Sequence, residues 1–192
     1  NTMDSTVRGS ADVAELLDAG LLSGADHALK HGAVDEMSWL TRQDRLMYAR
    51  MGVIDPLDLA DYQAHGGLVG LRRAVAMAPQ DVVDVVSASG LRGRGGAGFP
   101  AGRKWQTVLG APGDTKYICC NADEGDSGTY ADRMLMEGDP FTLLEGMTIA
   151  SLAVGATQGY IYLRSEYPDA RDILGAAIEA AREFGWLGAD VL

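Results

Sequence analysis

Two short apolar runs, KYICCN at 116–121 and GYIYL at 159–163, flank the longer apolar run PFTLLEGMTIASL at 140–152. The first short run predicts a buried strand, the second short run predicts another strand, and the long run predicts a helix that begins with a proline after an aspartate cap. A strand, a helix and a second strand in this order predict a parallel pair with a right-handed connection. Because ligands of such sheets bind beyond the carboxyl ends of the strands, we expect a site at residues 121–125.

The rest of the chain is arranged around this unit. A further helix is predicted after the second strand, beginning at Pro168 and ending before Gly185. Residues 39–90 predict a helical segment, and residues 1–38 are weakly patterned and predict a linker or the tail of a preceding domain. Residues 91–192 are expected to be the first part of an α/β domain, because more strands are expected than the chain supplies.

Capping residues and helical spacing of apolar residues define the helices of the segment 39–90. The four predicted helices run from Ser38 or Thr41 to Arg50, from Asp55-Pro56 towards Tyr62, from Leu68 to Met77, and from Pro79 to Ser89. A short amphipathic helix is also predicted from Ala11 to Leu22.

Composition excludes several classes of function. The net charge is −11, which disfavours non-specific binding to nucleic acids or anionic membranes. No apolar run approaches the roughly 18 residues of a membrane span, so none is expected. Cys119 and Cys120 are adjacent on a predicted strand and therefore point to opposite faces, which disfavours both a disulfide and a shared metal. A reducing, cytoplasmic location is expected.

The segment from Gly90 to Gly102 contains six glycines, counting both ends. Within it, GRGGAG at residues 93–98 matches the pattern G-x-G-x-x-G. The dinucleotide-binding fingerprint requires a strand before the glycines, whereas a helix is predicted here. A Walker A motif is excluded as well, because Gly102 is followed by Arg103 and not by the lysine that this motif needs.

Consecutive glycine N–H groups can nevertheless form a nest that binds an anion. Arg94, Arg103 and Lys104 add positive charge around the loop of this acidic protein. The loop therefore predicts a site for a phosphate-bearing cofactor, with a flexible surface loop as the alternative. Phe99 is placed to present its ring to a flat ligand, and Trp105 is expected to anchor the loop to the core.

An acidic loop, NADEGDSGT at residues 121–129, follows the first predicted strand. Asparagine and carboxylates at a strand end suit hydrogen bonds to sugar hydroxyls and to the polar edge of a heteroaromatic ring. A solvated turn or a helix N-cap is the alternative, and the spacing does not fit a calcium loop. General acid–base catalysis has no support, because the histidines lie in the N-terminal part of the chain, at His27, His31 and His65.

The run LRGRGGAGFPAGRKW at residues 91–105 resembles the FMN- and NADH-binding motif of the flavin subunit of respiratory NADH:quinone oxidoreductase. The same motif occurs in NAD-reducing hydrogenases and NAD-dependent formate dehydrogenases. NADEGDSGTYADR at 121–133 resembles the second motif of this family. The resemblance covers residue 39 to the end, and the sequence around 125–128 and 133–141 looks most like the beta (diaphorase) subunit of formate dehydrogenase.

This resemblance implies a fold and a set of site residues. The fold class implied is α/β, with an N-terminal helical segment followed by an incomplete Rossmann-like parallel βαβ flavin-binding domain. Phe99 would stack on NADH, Asp126 stands where relatives carry a glutamate near the dinucleotide, and Thr107 replaces a second aromatic of some relatives. The residues implied to bind FMN are Gly93, Arg94, Gly95, Gly96 and Lys104 in the glycine loop, and Asn121, Asp123 and Glu124 after the strand.

The implied activity is hydride transfer between NAD(H) and FMN, with electrons relayed to or from iron–sulfur clusters. The expected enzyme is a formate dehydrogenase. A flavin subunit of a respiratory complex or an NAD-reducing hydrogenase is the first alternative, and a non-catalytic nucleotide-binding fragment is the second. The expected partners are NAD(H), an iron–sulfur subunit and a molybdenum-containing formate-oxidising subunit.

The sequence is expected to be truncated at both ends relative to this family. The family's later Gly-Glu-Glu flavin segment, its ubiquitin-like domain and its four-cysteine domain are not found in it. A [4Fe–4S] cluster is therefore expected only in the missing C-terminal part.

Overall fold

A computed structural model describes residues 3–5, 9–33 and 36–188 of the chain. Contacts divide the chain into two compact units, Asn1–Leu46 and Met47–Leu192. Most of the predicted helical segment thus shares one unit with the βαβ elements. The division into domains at residues 38/39 and 90/91 stays a prediction.

The first unit contains a helix and a two-stranded sheet where the sequence suggests a linker. Helix α1 buries Leu16 and ends at Asp18, earlier than expected, because Gly20 adopts a φ of 85° and turns the chain. Strands β1 (Met3–Ser5) and β2 (Lys30–Ala33) pair in antiparallel fashion, with the helix between them in the chain. In chain order the elements are β1 (Met3–Ser5), α1 (Ser10–Asp18), a 3₁₀ turn (Leu21–Ser23), β2 (Lys30–Ala33) and α2 (Ser38–Thr41).

The second unit begins with four helices: α3 (Leu59–Ala64), α4 (Val69–Val75), α5 (Pro79–Ala88) and α6 (Ala101–Leu109). The predicted helices over 68–77 and 79–89 are confirmed as α4 and α5. The helix predicted from Asp55-Pro56 is wrong at its start. Asp58 is the cap instead, and its carboxylate accepts hydrogen bonds from the N–H groups of Ala60 and Asp61.

The helix predicted from Ser38 or Thr41 to Arg50 is also wrong. Helix α2 ends at Thr41, and residues 47–53 form turns. Tertiary contacts outweigh local spacing here, because the Arg50 guanidinium bonds to Asp139 at 2.8 Å and to the Thr142 hydroxyl.

The predicted parallel βαβ arrangement is confirmed. Strands β3 and β4 pair in parallel, from Tyr117 opposite Gln158 to Ala122 opposite Leu163. A helix missing from the prediction, α7, lies between the acidic loop and the predicted helix. The elements are β3 (Tyr117–Ala122), α7 (Ala131–Gly138), α8 (Pro140–Val154), β4 (Gln158–Leu163) and α9 (Pro168–Glu183).

The two strands are covered on one face only, so the prediction that the first of them, β3, is buried is wrong. Ile118 and Ile161 pack into the core, whereas Tyr117 and Tyr160 on the opposite face are 56% and 55% exposed. The predicted split of the cysteine pair is confirmed, since Cys119 is exposed and Cys120 half-buried.

Helix α8 is joined to the preceding helices by a buried polar network. Tyr62 donates a hydrogen bond to the Glu145 carboxylate at 2.5 Å. The same carboxylate accepts hydrogen bonds from the N–H groups of Leu68 and Leu71 at the start of α4, both at 2.8 Å. Burial, followed by this bond to Glu145, raises the pKa of Tyr62 well above its usual range.

The part of the chain that the structure describes has no helix long and apolar enough to cross a bilayer.

Candidate functional site

The glycine loop connects α5 to α6, and hydrogen bonds join its two ends. The N–H of Gly93 bonds to the Phe99 carbonyl at 2.9 Å, and the N–H of Ala101 bonds to the Leu91 carbonyl at 2.9 Å. The Arg92 guanidinium donates to the Gly98 carbonyl at 2.8 Å. These bonds close the neck of the loop and leave its tip, residues 94–97, projecting outwards.

The tip of the loop has open space around its backbone. A Cβ atom built on Gly95, Gly96 or Gly98 would have no neighbour within 4 Å. Gly96 and Gly98 adopt φ angles of 101° and 60°, which other residues rarely adopt. The sequence GRGGAG therefore shapes a backbone that a ligand can approach closely.

The loop also carries positively charged side chains that have no acidic partner in the described part of the chain. Among the described residues, the side chains of Arg94, Arg103 and Lys104 form no ion pair and no hydrogen bond. All three are exposed, and they lie in or just after the loop. In a chain of net charge −11, these three cations, which have no acidic partner in the described ranges, give the glycine loop a locally positive charge.

Helix α6 follows the loop directly and presents its N-terminus there. Gly102 in its first turn packs against α5, where an added Cβ would lie 2.2 Å from Ser87 Oγ and 2.6 Å from Ser87 Cα. Trp105 is half-buried against the cluster around Val82 and Val83, as predicted for an anchor. Gly102 is therefore a packing glycine rather than a ligand-facing one.

A concavity of about 470 Å³ lies at the base of the loop, between α5 and α6. Its lining includes Leu91, Pro100, Arg103 and Thr107. Phe99 stands next to it with 51% of its surface exposed, so its ring is available to a planar ligand.

The acidic loop begins at the carboxyl end of β3. Asn121 is exposed, and its side-chain oxygen accepts a hydrogen bond from the Asp123 N–H at 3.1 Å, whereas its NH₂ group donates to no partner among the described residues. Asp123 is half-buried, and its carboxylate lies over Gly125. Asp126 is exposed further along the loop.

Glu124 differs from its neighbours, because its carboxylate points back into the protein. It accepts hydrogen bonds from the N–H groups of Asp132 at 2.8 Å and Arg133 at 3.0 Å, in the first turn of α7. It also accepts a bond from the Tyr167 hydroxyl at 3.1 Å. Both carboxylate oxygens are thereby engaged in capping a helix and holding a tyrosine.

Arg164 and Tyr167 complete this end of the sheet, and neither was predicted from the sequence as a site residue. Arg164 follows β4, and its guanidinium donates to the Glu124 carbonyl. The only sequence signal for it was its position at the end of the second strand. Together with Asp126 and Arg133 these residues line a second concavity of about 280 Å³.

Nearby ionisable groups respond to this environment. Burial, and then the Glu124 carboxylate, raises the pKa of Asp132 above its ordinary value. Burial, followed by the hydrogen bond to Glu124, raises the pKa of the Tyr167 hydroxyl. Burial and then Asp132 raise the pKa of the Cys120 thiol, which disfavours a reactive thiolate.

The structure does not merge the two loops into one cleft. The two concavities share no residue, and in the described ranges no hydrogen bond or ion pair joins residues 91–105 to residues 121–129. The same ranges contain no cluster of three His, Cys, Asp or Glu side chains that could hold a metal ion.

Known proteins resemble this chain over most of its length. It is 49% identical over 150 residues to the NADP-reducing hydrogenase subunit HndC of Solidesulfovibrio fructosivorans, a match that covers 78% of this chain and 30% of that protein. It is 48% identical over 132 residues to an NADH-quinone oxidoreductase subunit of Aquifex aeolicus, covering 69% of this chain and 31% of that protein. The chain thus spans about a third of the length of these curated relatives.

A solved structure has the same fold. The NAD⁺-reducing [NiFe]-hydrogenase in its air-oxidised state aligns with a TM-score of 0.57 and 26% identity, covering 93% of this chain and 30% of the other. The sequence profile of the Nuo51 FMN-binding domain matches residues 86–189, which include both motifs. The predicted membership of this family of flavin subunits is confirmed, and with it FMN as the cofactor of the family: the chain belongs to the Nuo51 FMN-binding domain family.

Proposed function

We propose that this chain is the FMN-holding part of an oxidoreductase that transfers hydride between NAD(H) and FMN. The observation that carries the proposal is the glycine loop, where an open backbone is surrounded by three cations without acidic partners among the described residues. A phosphate group satisfies both features at once, because it accepts N–H bonds and neutralises positive charge. FMN carries such a phosphate.

The donor set fits the cofactor. Gly93, Gly95 and Gly96 supply backbone that a phosphate can approach, since a Cβ at either of the last two would occupy only empty space. Arg94 and Lys104 supply charge. On the sheet side, the NH₂ group of Asn121 has no partner among the described residues and would donate to the flavin, and the Asp123 carboxylate would accept. Glu124 would contribute its main chain, since both its carboxylate oxygens are engaged within the protein.

Bound FMN supplies a hydride acceptor or donor, and the residues of this chain supply binding and orientation. Phe99, half exposed beside the loop, gives a flat surface against which a nicotinamide or adenine ring stacks. Asp126 lies exposed on the acidic loop, where its carboxylate would accept hydrogen bonds from hydroxyl groups of NAD(H). No side chain of the site acts as a general acid or base in this proposal.

The whole enzyme is proposed to be a formate dehydrogenase, whose iron–sulfur and molybdenum subunits exchange electrons with the flavin part in the cytoplasm. The sequence at residues 125–128 and 133–141 supports this assignment through its resemblance to the formate dehydrogenase beta subunit. A hydrogenase is the second candidate, supported by the 49% identity to a hydrogenase subunit, and a respiratory complex is the third. Co-purified subunits, and coupling of formate, hydrogen or quinone to NADH, distinguish the three.

The activity is tested by mixing the chain, FMN and NADH without oxygen and following the loss of NADH absorbance. We expect oxidation faster than with free FMN alone, and slower again in Phe99→Ala. A parallel assay with NADPH decides which dinucleotide is used, since the relative from Solidesulfovibrio is NADP-reducing. Tight FMN binding without any NADH oxidation would instead identify a non-catalytic nucleotide-binding part.

A further inference from the structure

Glu124 has an unusual backbone. Its φ angle is 42°, in the left-handed region, and in the described part of the chain only Leu68 shares this feature among residues other than glycine. A residue other than glycine is strained in this region and persists there only where its surroundings impose it. At Glu124 the chain leaves β3 and turns, so this residue decides how Asn121 and Asp123 are presented.

We infer that Tyr167 and Arg164 are positioning residues of the flavin site, which act through Glu124 to fix the backbone that carries Asn121 and Asp123. The inference rests on the proposed function of this loop as the sheet side of an FMN site. It assigns Glu124 a place behind the site, with its carboxylate directed towards α7 and its main chain setting the turn.

The first support is the set of bonds to the Glu124 side chain. Its carboxylate receives the N–H groups of Asp132 and Arg133 and the hydroxyl of Tyr167, at 2.8–3.1 Å. Tyr130, the N-cap residue of α7, makes no side-chain cap of its own, so Glu124 supplies the missing acceptors. These bonds satisfy helix N–H groups and hold the glutamate side chain in one place.

The second support comes from the neighbouring strand. The Arg164 N–H bonds to the Ala122 carbonyl at 3.1 Å, and its guanidinium bonds to the Glu124 carbonyl. Arg164 therefore binds the main chain on both sides of Asp123. Its guanidinium also stacks 5.6 Å from the centre of the Tyr167 ring, so that the two positioning residues support each other.

Tyr167 is suited to this task because it is rigid and buried. It is only 5% exposed. The oxygen of its hydroxyl lies 3.1 Å from the Glu124 carboxylate and 3.3 Å from the Thr129 carbonyl, which share its single proton. It thus ties the beginning and the end of the acidic loop to the start of α9. Removing the hydroxyl alone loosens the loop while the ring keeps its packing.

The first test needs no cofactor. Hydrogen–deuterium exchange of the 192-residue chain is compared between Tyr167→Phe and Tyr160→Phe, which removes a hydroxyl from an exposed tyrosine on the outer face of β4. We expect faster exchange over residues 123–133 in Tyr167→Phe alone, with α9 unchanged. Equal exchange in the two variants would overturn the assignment of Tyr167 as the tie of this loop.

The second test measures the binding of FMN and the environment of the bound flavin. We expect Tyr167→Phe to raise the FMN dissociation constant about tenfold, in line with one lost hydrogen bond to a charged group. The visible circular dichroism of FMN, measured at saturating cofactor, should change in this variant and stay unchanged in Tyr160→Phe. Arg164→Lys is expected to behave like Tyr167→Phe, with exposed Arg171→Lys as its control.

The outcomes separate the two claims. A loose loop with unchanged FMN affinity and dichroism would overturn the positioning role and leave the flavin function intact. Failure of the unchanged chain to bind FMN would overturn the proposed function together with its flavin part, and hydrogen exchange would still decide whether Tyr167 orders the loop.

Discussion

The guanidinium of Arg50 lies 2.8 Å from the carboxylate of Asp139, which is fully buried at the start of α8. The second carboxylate oxygen of Asp139 has no hydrogen-bond partner among the described residues. Its burial is therefore compensated at the first oxygen, which also accepts a hydrogen bond from the Thr142 hydroxyl at 2.8 Å. This pair joins the turn region before α3 to the helix that packs beneath the sheet.

Replacing Arg50 tests how much this buried pair contributes. Arg50→Met leaves the Asp139 charge without its partner, and we expect the free energy of unfolding to fall by about 3–5 kcal/mol. Urea denaturation of the chain measures it, with exposed Arg171→Met as the control, which should change little. A loss below about 1 kcal/mol would show that the Asp139 carboxyl is compensated in another way.

A pH dependence follows from Tyr62. Its pKa is raised by burial and by Glu145, so the folded chain keeps this proton to higher pH than the unfolded chain. The contribution of Tyr62 to the free energy of unfolding is therefore fully present below pH 10.0, the ordinary tyrosine pKa. It is lost as the pH rises above this value, by up to about 1.4 kcal/mol per pH unit.

The comparison of Tyr62→Phe with the unchanged chain isolates this effect. The variant should lose less stability above pH 10.0, as measured by denaturation at a series of pH values. Parallel curves for the two chains would show that Tyr62 does not titrate differently in the folded state.

Gly102 tests the contact between α5 and α6. Alanine favours helices over glycine, yet Gly102→Ala would force its Cβ against Ser87, and we expect a destabilisation of about 1–3 kcal/mol. Gly175→Ala in α9 is the matched control, because its Cβ would have no neighbour within 4 Å and should leave stability equal or slightly higher. A stabilising Gly102→Ala would mean that the helices readily move apart.

Local patterns were sufficient to predict the helices α4, α5, α8 and α9 and the parallel strands, because capping residues, prolines and apolar spacing encode them directly. The glycine loop was also predictable, since its composition specifies an open backbone with basic side chains in and just after it. Helix α7 was missed because its cap, Glu124, is remote in sequence from the N–H groups that it satisfies.

Other features depended on contacts far apart in the chain. The hydrogen bond from Arg164 to Glu124 joins residues 40 positions apart in the chain, and no short motif predicts it. The packing role of Gly102 depends on how closely α5 approaches it at Ser87, and its place in a glycine-rich run does not reveal this contact. The end of the predicted helix near Arg50 depended on Asp139, which lies 89 residues away.

Recognition of phosphate is tested by comparing FMN with riboflavin, which lacks it. Arg94→Gln removes a cation that has no partner in the described structure, and we expect FMN binding to weaken roughly tenfold or more with riboflavin binding unchanged. Fluorescence titration measures both affinities, and Arg171→Gln serves as the control for a lost surface charge. Equal weakening for the two flavins would place the phosphate away from Arg94.

The most direct test of the FMN site is a fluorescence titration of the chain with FMN, alongside Gly96→Glu and Gly113→Glu. Both glycines have a positive φ, 101° and 136°, and open space around them, so the substitutions impose similar strain and the same charge. We expect tight quenching in the unchanged chain and in Gly113→Glu, and its loss in Gly96→Glu. Equal FMN binding by all three chains would contradict the assignment of the glycine loop as the FMN site.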